Sequence, residues 1–238
     1  MRFTPSAKDR LSILLMVLAA GCVDAIGFKS AEIFPANMTS NAVLIASALG
    51  GASPLPQVED SAFVLVSFCM GSALAAFLMR LLKPSRLNGV ALAIILAGFS
   101  LSACGVALLF RPDAWPFSLG HLLVMALAMG IQSTAALAMN IPGAGITTVI
   151  TSTLTAAISK LVASFPLASS KGTKVKNDEA TSALFPLSVF GCYLTGAFLG
   201  VFHLGISTAA VILLAGMLLA GVGITTGALL KEAVPLKL

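Results

Sequence analysis

Charge is what this chain has least of. Only 10% of its 238 residues are Asp, Glu, Lys or Arg, against roughly 25% in an ordinary soluble domain. That scarcity excludes a disordered chain, which stays unfolded by being polar and charged. Aromatic residues are also few, at 7%, with a single Trp and a single Tyr. Two histidines, His121 and His203, and four cysteines, Cys22, Cys69, Cys104 and Cys192, complete the short supply. No two cysteines form a Cys-x-x-Cys pair and all four fall in apolar stretches, so neither a disulfide-stapled module nor a zinc or haem site is expected. No metal and no cofactor is predicted.

Apolar residues fill the space left by charge. They make up 58% of the chain, and the mean hydropathy is +1.02. Such a composition implies a membrane protein in contact with the lipid bilayer. The pI near 9.2 would suggest nucleic acid in a soluble protein, but here basic residues report topology instead, and no nucleic-acid partner is expected. The N-terminal run from Leu11 to Cys22 imitates a lipoprotein-type signal. Beyond Cys22 the chain stays apolar and shows no polar exported domain, so a retained first span is the simpler reading.

Eight apolar stretches occupy 11–28, 38–50, 61–79, 87–110, 117–139, 146–159, 180–202 and 205–230. Six have the length that crosses a hydrocarbon core of about 30 Å, whereas the second and sixth are too short and fit re-entrant or broken helices. The charges test this independently, because basic residues near span ends stay cytoplasmic. With six crossings and a cytoplasmic N-terminus, only Lys29 and Arg111 of the 14 Lys and Arg fall outside. Eight crossings would also place Arg80, Lys83 and Arg86 outside while moving Arg111 elsewhere, a poorer segregation. The expected fold is therefore all-α: a polytopic transmembrane helical bundle of six spans plus two short re-entrant or broken helices, with both termini cytoplasmic. The polar stretch 169–179, with three lysines and an acidic pair, reads as a flexible cytoplasmic loop.

The order long, short, long, long occurs twice, which predicts an internal repeat with units 1–112 and 113–238 in one compact membrane domain. Gly21-Cys22-Val23-Asp24-Ala25 can be laid over Gly130-Ile131-Gln132-Ser133-Thr134, and Met38-Thr39-Ser40-Asn41 over Ile150-Thr151-Ser152-Thr153. Pro35 and Pro142 precede the two short segments. Three crossings per unit would set the copies upside down relative to each other, as in many secondary transporters.

Asp24 is the one acid well inside a long apolar stretch, and a carboxylate at mid-bilayer costs at least about 2.5 to 3.5 kcal/mol unless compensated. Compensation can come from a proton, a cation, or hydroxyl and amide donors such as Asn37, Thr39, Ser40 and Asn41. The alternative is an interfacial Asp24 that pairs with Lys29. The candidate substrate-binding residues are Asp24, Asn37, Thr39, Asn41, Gln132, Thr151 and Thr153, gathered near the bilayer middle around a small solute or ion. Small residues such as Gly71, Ala75, Gly191, Gly196 and Gly200 are spaced for close helix contact, and Gly221, Gly223 and Gly227 offer further faces for contact or for a homo-oligomer.

The Val-Asp-Ala of the first span, the Asn37-Met38-Thr39-Ser40-Asn41 box, Gly130-Ile131-Gln132, Pro142-Gly143 and the Thr151-Ser152-Thr153-Leu154-Thr155 box together resemble the YoaK-like family of bacterial membrane proteins across nearly the whole chain. Ser40 and Ser152 stand where that family's boxes carry glycine. The resemblance implies a polytopic protein of the bacterial inner membrane with a domain of unknown function, and it brings no substrate or mechanism. A small-solute or ion transporter or channel is the function the residues favour. An enzyme is not expected, because a lone acid has no nucleophile, base or second acid beside it. A non-transporting accessory or sensor protein, acting through helix contacts, is the other class.

Overall fold

The computed structural model describes residues 7–51, 55–82, 86–110, 118–141, 150–163, 173–202 and 207–233. Among them are eight helices and no strands: α1 (Ala7–Ala31), α2 (Met38–Leu49), α3 (Leu55–Leu81), α4 (Arg86–Leu109), α5 (Leu119–Met139), α6 (Ile150–Ala163), α7 (Thr173–Val201) and α8 (Thr208–Ala233). Six of these, all but α2 and α6, are long and apolar enough to cross a membrane. At 12 and 14 residues, α2 and α6 reach only about 18 and 21 Å.

The stretch expected to be a loop at 169–179 is helical from Thr173 onward. No glycine or proline interrupts the chain between Thr173 and Phe185, so α7 begins about three turns before its apolar part instead of breaking at the change in polarity. The remainder of that stretch lies outside the described residues, as do Pro142, Thr147, Thr148 and His203.

In lipid, apolar surface alone does not hold helices together, and small residues that let backbones touch take over the task. On α1, a methyl built at Gly21 would strike the Tyr193 carbonyl of α7, and one at Gly196 of α7 would strike the Leu18 carbonyl of α1. The pair α3 and α5 repeats this arrangement. Gly130 lies against the Phe68 carbonyl and Gly71 against the Leu127 carbonyl. A shift of 109 residues carries the α1 contacts onto α5, and one of 125 carries the α3 contacts onto α7. Between α4 and α8 the matching is internal: Gly105 meets Leu213 and Ala209, and Gly223 meets Ile95 and Ala91. Of the six long helices, α1 and α5 are the most buried and α3 and α7 the least.

The same contacts fix helix directions. α1 and α7 run parallel, since Gly196 meets Leu18 and Gly200 meets Cys22. α3 and α5 are parallel too, with the Ser67 hydroxyl donating to the Leu123 carbonyl and that of Ser72 to the Gly130 carbonyl. α4 and α8 are antiparallel, because Gly98 meets Gly216 and Ala220 while Gly105, further along, meets the earlier residues Leu213 and Ala209. Were α6 a full crossing, four reversals would separate α4 from α8 and leave them parallel. The chain between α5 and α7 therefore returns to the side it left, and α6 does not cross. The parallel pair α1 and α7 then requires the same of the chain between α1 and α3, which contains α2.

Candidate functional site

α1 stops at Ala31 with Glu32 in the left-handed region (φ 56°), and α5 stops the same way at Asn140 (φ 50°). Asn accepts that conformation readily and Glu does so at a cost. After Glu32 the chain turns back toward the bundle interior, and α2 begins at the depth of Asp24. Asp24 lies seven residues before the end of α1, about 10 Å from that end.

Backbone that is not helical has unpaired N–H and C=O groups, and at membrane depth each must find a partner within the protein. Four such groups between Phe34 and Asn37 find theirs in the side chains singled out by the sequence, while the Glu32 N–H donates to the Phe28 carbonyl. Asp24 Oδ1 accepts from the Ala36 N–H at 2.6 Å and the Asn37 N–H at 3.1 Å. Its Oδ2 accepts from the Tyr193 hydroxyl of α7 at 2.8 Å. Asn41 serves both polar groups of Phe34: its Oδ1 accepts from the Phe34 N–H at 3.0 Å and its Nδ2 donates to the Phe34 carbonyl at 2.6 Å. Asn37 caps α2, its Oδ1 accepting from the Ser40 N–H at 3.3 Å, the usual role of Asn at this position. Phe28 stacks on Phe34 with ring centroids 4.8 Å apart, and the Pro35 ring packs at Gly27, where a methyl would collide with it.

The carboxylate is thus the meeting point of three parts: the long helix α1, the entry to the short helix α2, and α7 from the other half of the chain. It is 2% exposed, and Asn41 is fully buried. Lys29, weighed as a partner for Asp24, instead donates to the Val201 carbonyl at 3.4 Å.

The other candidates lie elsewhere. Thr39 is exposed on α2, a helix of which only Asn41 and Ala48 are buried. Gln132 is fully buried on α5, where its Nε2 donates to the Met16 carbonyl of α1 at 2.7 Å and its Oε1 has no partner. Met16 precedes Asp24 by eight residues on α1, so Gln132 sits about 12 Å from Asp24 along that helix. Thr153 is buried on α6, and the side chain of Thr151 lies outside the described residues. The structure brings Asp24, Asn37 and Asn41 together and sets Gln132 apart from them.

Tyr193 was not among the residues picked from the sequence. Its signal was available: it is the only tyrosine, placed inside an apolar span where its hydroxyl needs an acceptor. Among the described residues no group of three His, Cys, Asp or Glu side chains is arranged to hold a metal ion, and the four cysteines are free thiols.

Six long apolar helices, two short helices that do not cross, and a buried acid tying one of the short ones to the opposite half define an integral, multi-pass membrane protein. Comparison with known proteins places it more narrowly. Residues 12–225 match the family described as "Protein of unknown function (DUF1275)", and the chain belongs to that family. It is similar to the UPF0700 transmembrane protein YoaK of Bacillus subtilis (strain 168), with 34% identity over 158 residues. That alignment covers 63% of this chain and 66% of the relative, slightly less than two thirds of its length. No solved structure matches the chain.

Proposed function

We propose that this protein is a transporter or channel for a small solute or ion, built from two units, 1–112 and 113–238, inverted with respect to each other in the bacterial inner membrane with both termini cytoplasmic. The observation that carries this reading is the entry to α2: a helix that starts inside the bundle, beside a buried carboxylate, and does not cross. Broken helices of this kind bring unpaired backbone groups and a helix dipole to the interior, which transporters use for binding and which a purely structural bundle has little reason to retain. Matching contacts on either side of the midpoint support the pairing of the units.

In this reading the protein moves its substrate and does not transform it. Asp24 is the charged element. Its three donors hold the α2 entry and α7 together, and loss of the carboxylate's negative charge, by a proton or a cation, weakens that fastening. Asn37, Asn41, Thr39, Gln132 and Thr153 supply neutral polar contacts along the way.

The accessory-protein reading draws on one specific fact: Asp24, 2% exposed, already has a structural task in fastening Ala36, Asn37 and Tyr193 together. One experiment separates the two. Purified protein in proteoliposomes is screened for solute-induced currents on a solid-supported membrane, with wild type beside Asp24→Asn. Currents in wild type that are abolished or lose their proton dependence in Asp24→Asn support transport through the acid. Currents unchanged by the substitution remove Asp24 from the mechanism, and a stoichiometric copurifying membrane protein with no current across the panel favours the accessory role.

A further inference from the structure

α1 meets α8 at the end where the chain begins. Between them lies a groove of about 610 Å³ lined by Lys8, Leu11, Ser12 and Leu15 of α1 and by Met217, Leu218, Gly221, Val222 and Thr225 of α8. Its volume falls within the roughly 300–1,000 Å³ typical of clefts that hold small molecules. Its walls are apolar apart from the end near Lys8.

Three features give the groove its chemistry. Gly221 creates the hollow, since a methyl built there meets nothing within 4 Å, unlike the glycines that seal the helix pairs. Leu11, 55% exposed, forms the opposite wall. The mouth is cationic: Lys8 lies in the first turn of α1, where the positive dipole end of a 25-residue helix adds to its charge. Asp9 shares that turn but does not line the groove. Nearby Arg10 is occupied over the Phe185 ring at 5.4 Å.

The groove runs from Lys8 to Leu15 on one wall and from Thr225 to Met217 on the other, about 10 to 12 Å along the helices. It thus starts at the membrane surface and ends within one leaflet. At the corresponding crossing in the other half, α4 packs more extensively on α5 than α8 does on α1. There the Cys104 thiol reaches the His121 carbonyl across the contact at 3.9 Å.

We propose that this groove is a binding site for one anionic phospholipid of the leaflet that the N-terminus faces, with its acyl chain against Gly221 and its phosphate at Lys8. A cation above an apolar slot matches the two ends of such a lipid, and a juxtamembrane lysine attracts an anionic headgroup. The Ser12 hydroxyl, which has no hydrogen-bond partner among the described residues and lines the slot, is placed to meet the glycerol ester region.

The test uses full-length protein in detergent and native mass spectrometry with added phosphatidylglycerol or phosphatidylcholine. Wild type is expected to retain one phosphatidylglycerol at concentrations where phosphatidylcholine is at least five-fold less bound. Lys8→Gln should abolish that preference, and Gly221→Leu, which places a side chain in the slot from a position where a Cβ meets nothing within 4 Å, should reduce retention of both lipids. Arg80→Gln, a cation at the end of α3 away from the groove, controls for diffuse charge. Equal retention of the two lipids by wild type would overturn the proposal. So would equal losses from Lys8→Gln and Arg80→Gln, or unchanged binding in Gly221→Leu. Thermal unfolding of each variant without added lipid shows whether it is folded, and if Lys8→Gln is not, Lys8→Met takes its place.

Discussion

Removing the Asp24 carboxylate should separate its structural work from any transport role. Asp24→Ala leaves three donors without their acceptor: the buried Ala36 N–H, the half-buried Asn37 N–H and the Tyr193 hydroxyl. A stranded buried donor costs about 1–3 kcal/mol. Loss of a desolvated carboxylate offsets part of the sum, so the expected net destabilisation is about 3 kcal/mol. Asp24→Asn differs. Its amide oxygen still accepts from both backbone N–H groups, and its amide nitrogen donates to the Tyr193 oxygen once that hydroxyl turns. What remains is the loss of charge assistance, about 1 kcal/mol. Tyr193→Phe removes one bond and should cost about 1 kcal/mol alone and close to nothing in the Asp24→Ala background, a coupling that a double-mutant cycle reads directly. The assay is the free energy of unfolding in mixed micelles titrated with sodium dodecyl sulfate. If Asp24→Ala lies within about 0.5 kcal/mol of wild type, or if the two single substitutions add without coupling, the fastening argued from these distances is wrong.

The same packing sets other outcomes. Gly71→Ala forces a methyl against the Leu127 backbone and should destabilise by about 1–3 kcal/mol or more, whereas Gly191→Ala, with open space around it, should be neutral or gain about 0.5–1 kcal/mol. The same titration compares them, and equal losses would contradict the close contact. A cysteine placed at Gly51, after α2, should react with a membrane-impermeant maleimide only from the side opposite the N-terminus, and one at Leu82 only from the N-terminal side. Eight crossings would exchange the two results. Gln132→Leu removes one hydrogen bond and also the orphaned Oε1, so its stability should stay within about 1 kcal/mol of wild type. Flux lost at unchanged stability would then assign Gln132 to the solute path.

Much of the architecture is legible in linear order because bilayer thickness imposes a length on every crossing helix. Six long and two short apolar stretches become six long and two short helices, and the extra turns of α1, α3 and α7 lie where helix continues past the apolar boundary. Asp24, Asn37 and Asn41 stand out for a related reason: polar side chains are scarce in such a chain, and a broken backbone in lipid must be satisfied by some of them. The tertiary structure alone decides the rest. That Asp24 faces Ala36, Asn37 and Tyr193 and leaves Lys29 to Val201 depends on α7 crossing α1, a contact between residues some 170 positions apart that no local pattern encodes. Gln132 and Asp24 look like partners when the two halves are laid side by side, yet antiparallel α1 and α5 carry them to different depths. Composition sets the number and length of the helices because lipid acts on each one separately. Direction, pairing and proximity come from glycine contacts between helices, and those exist only once the chain has folded.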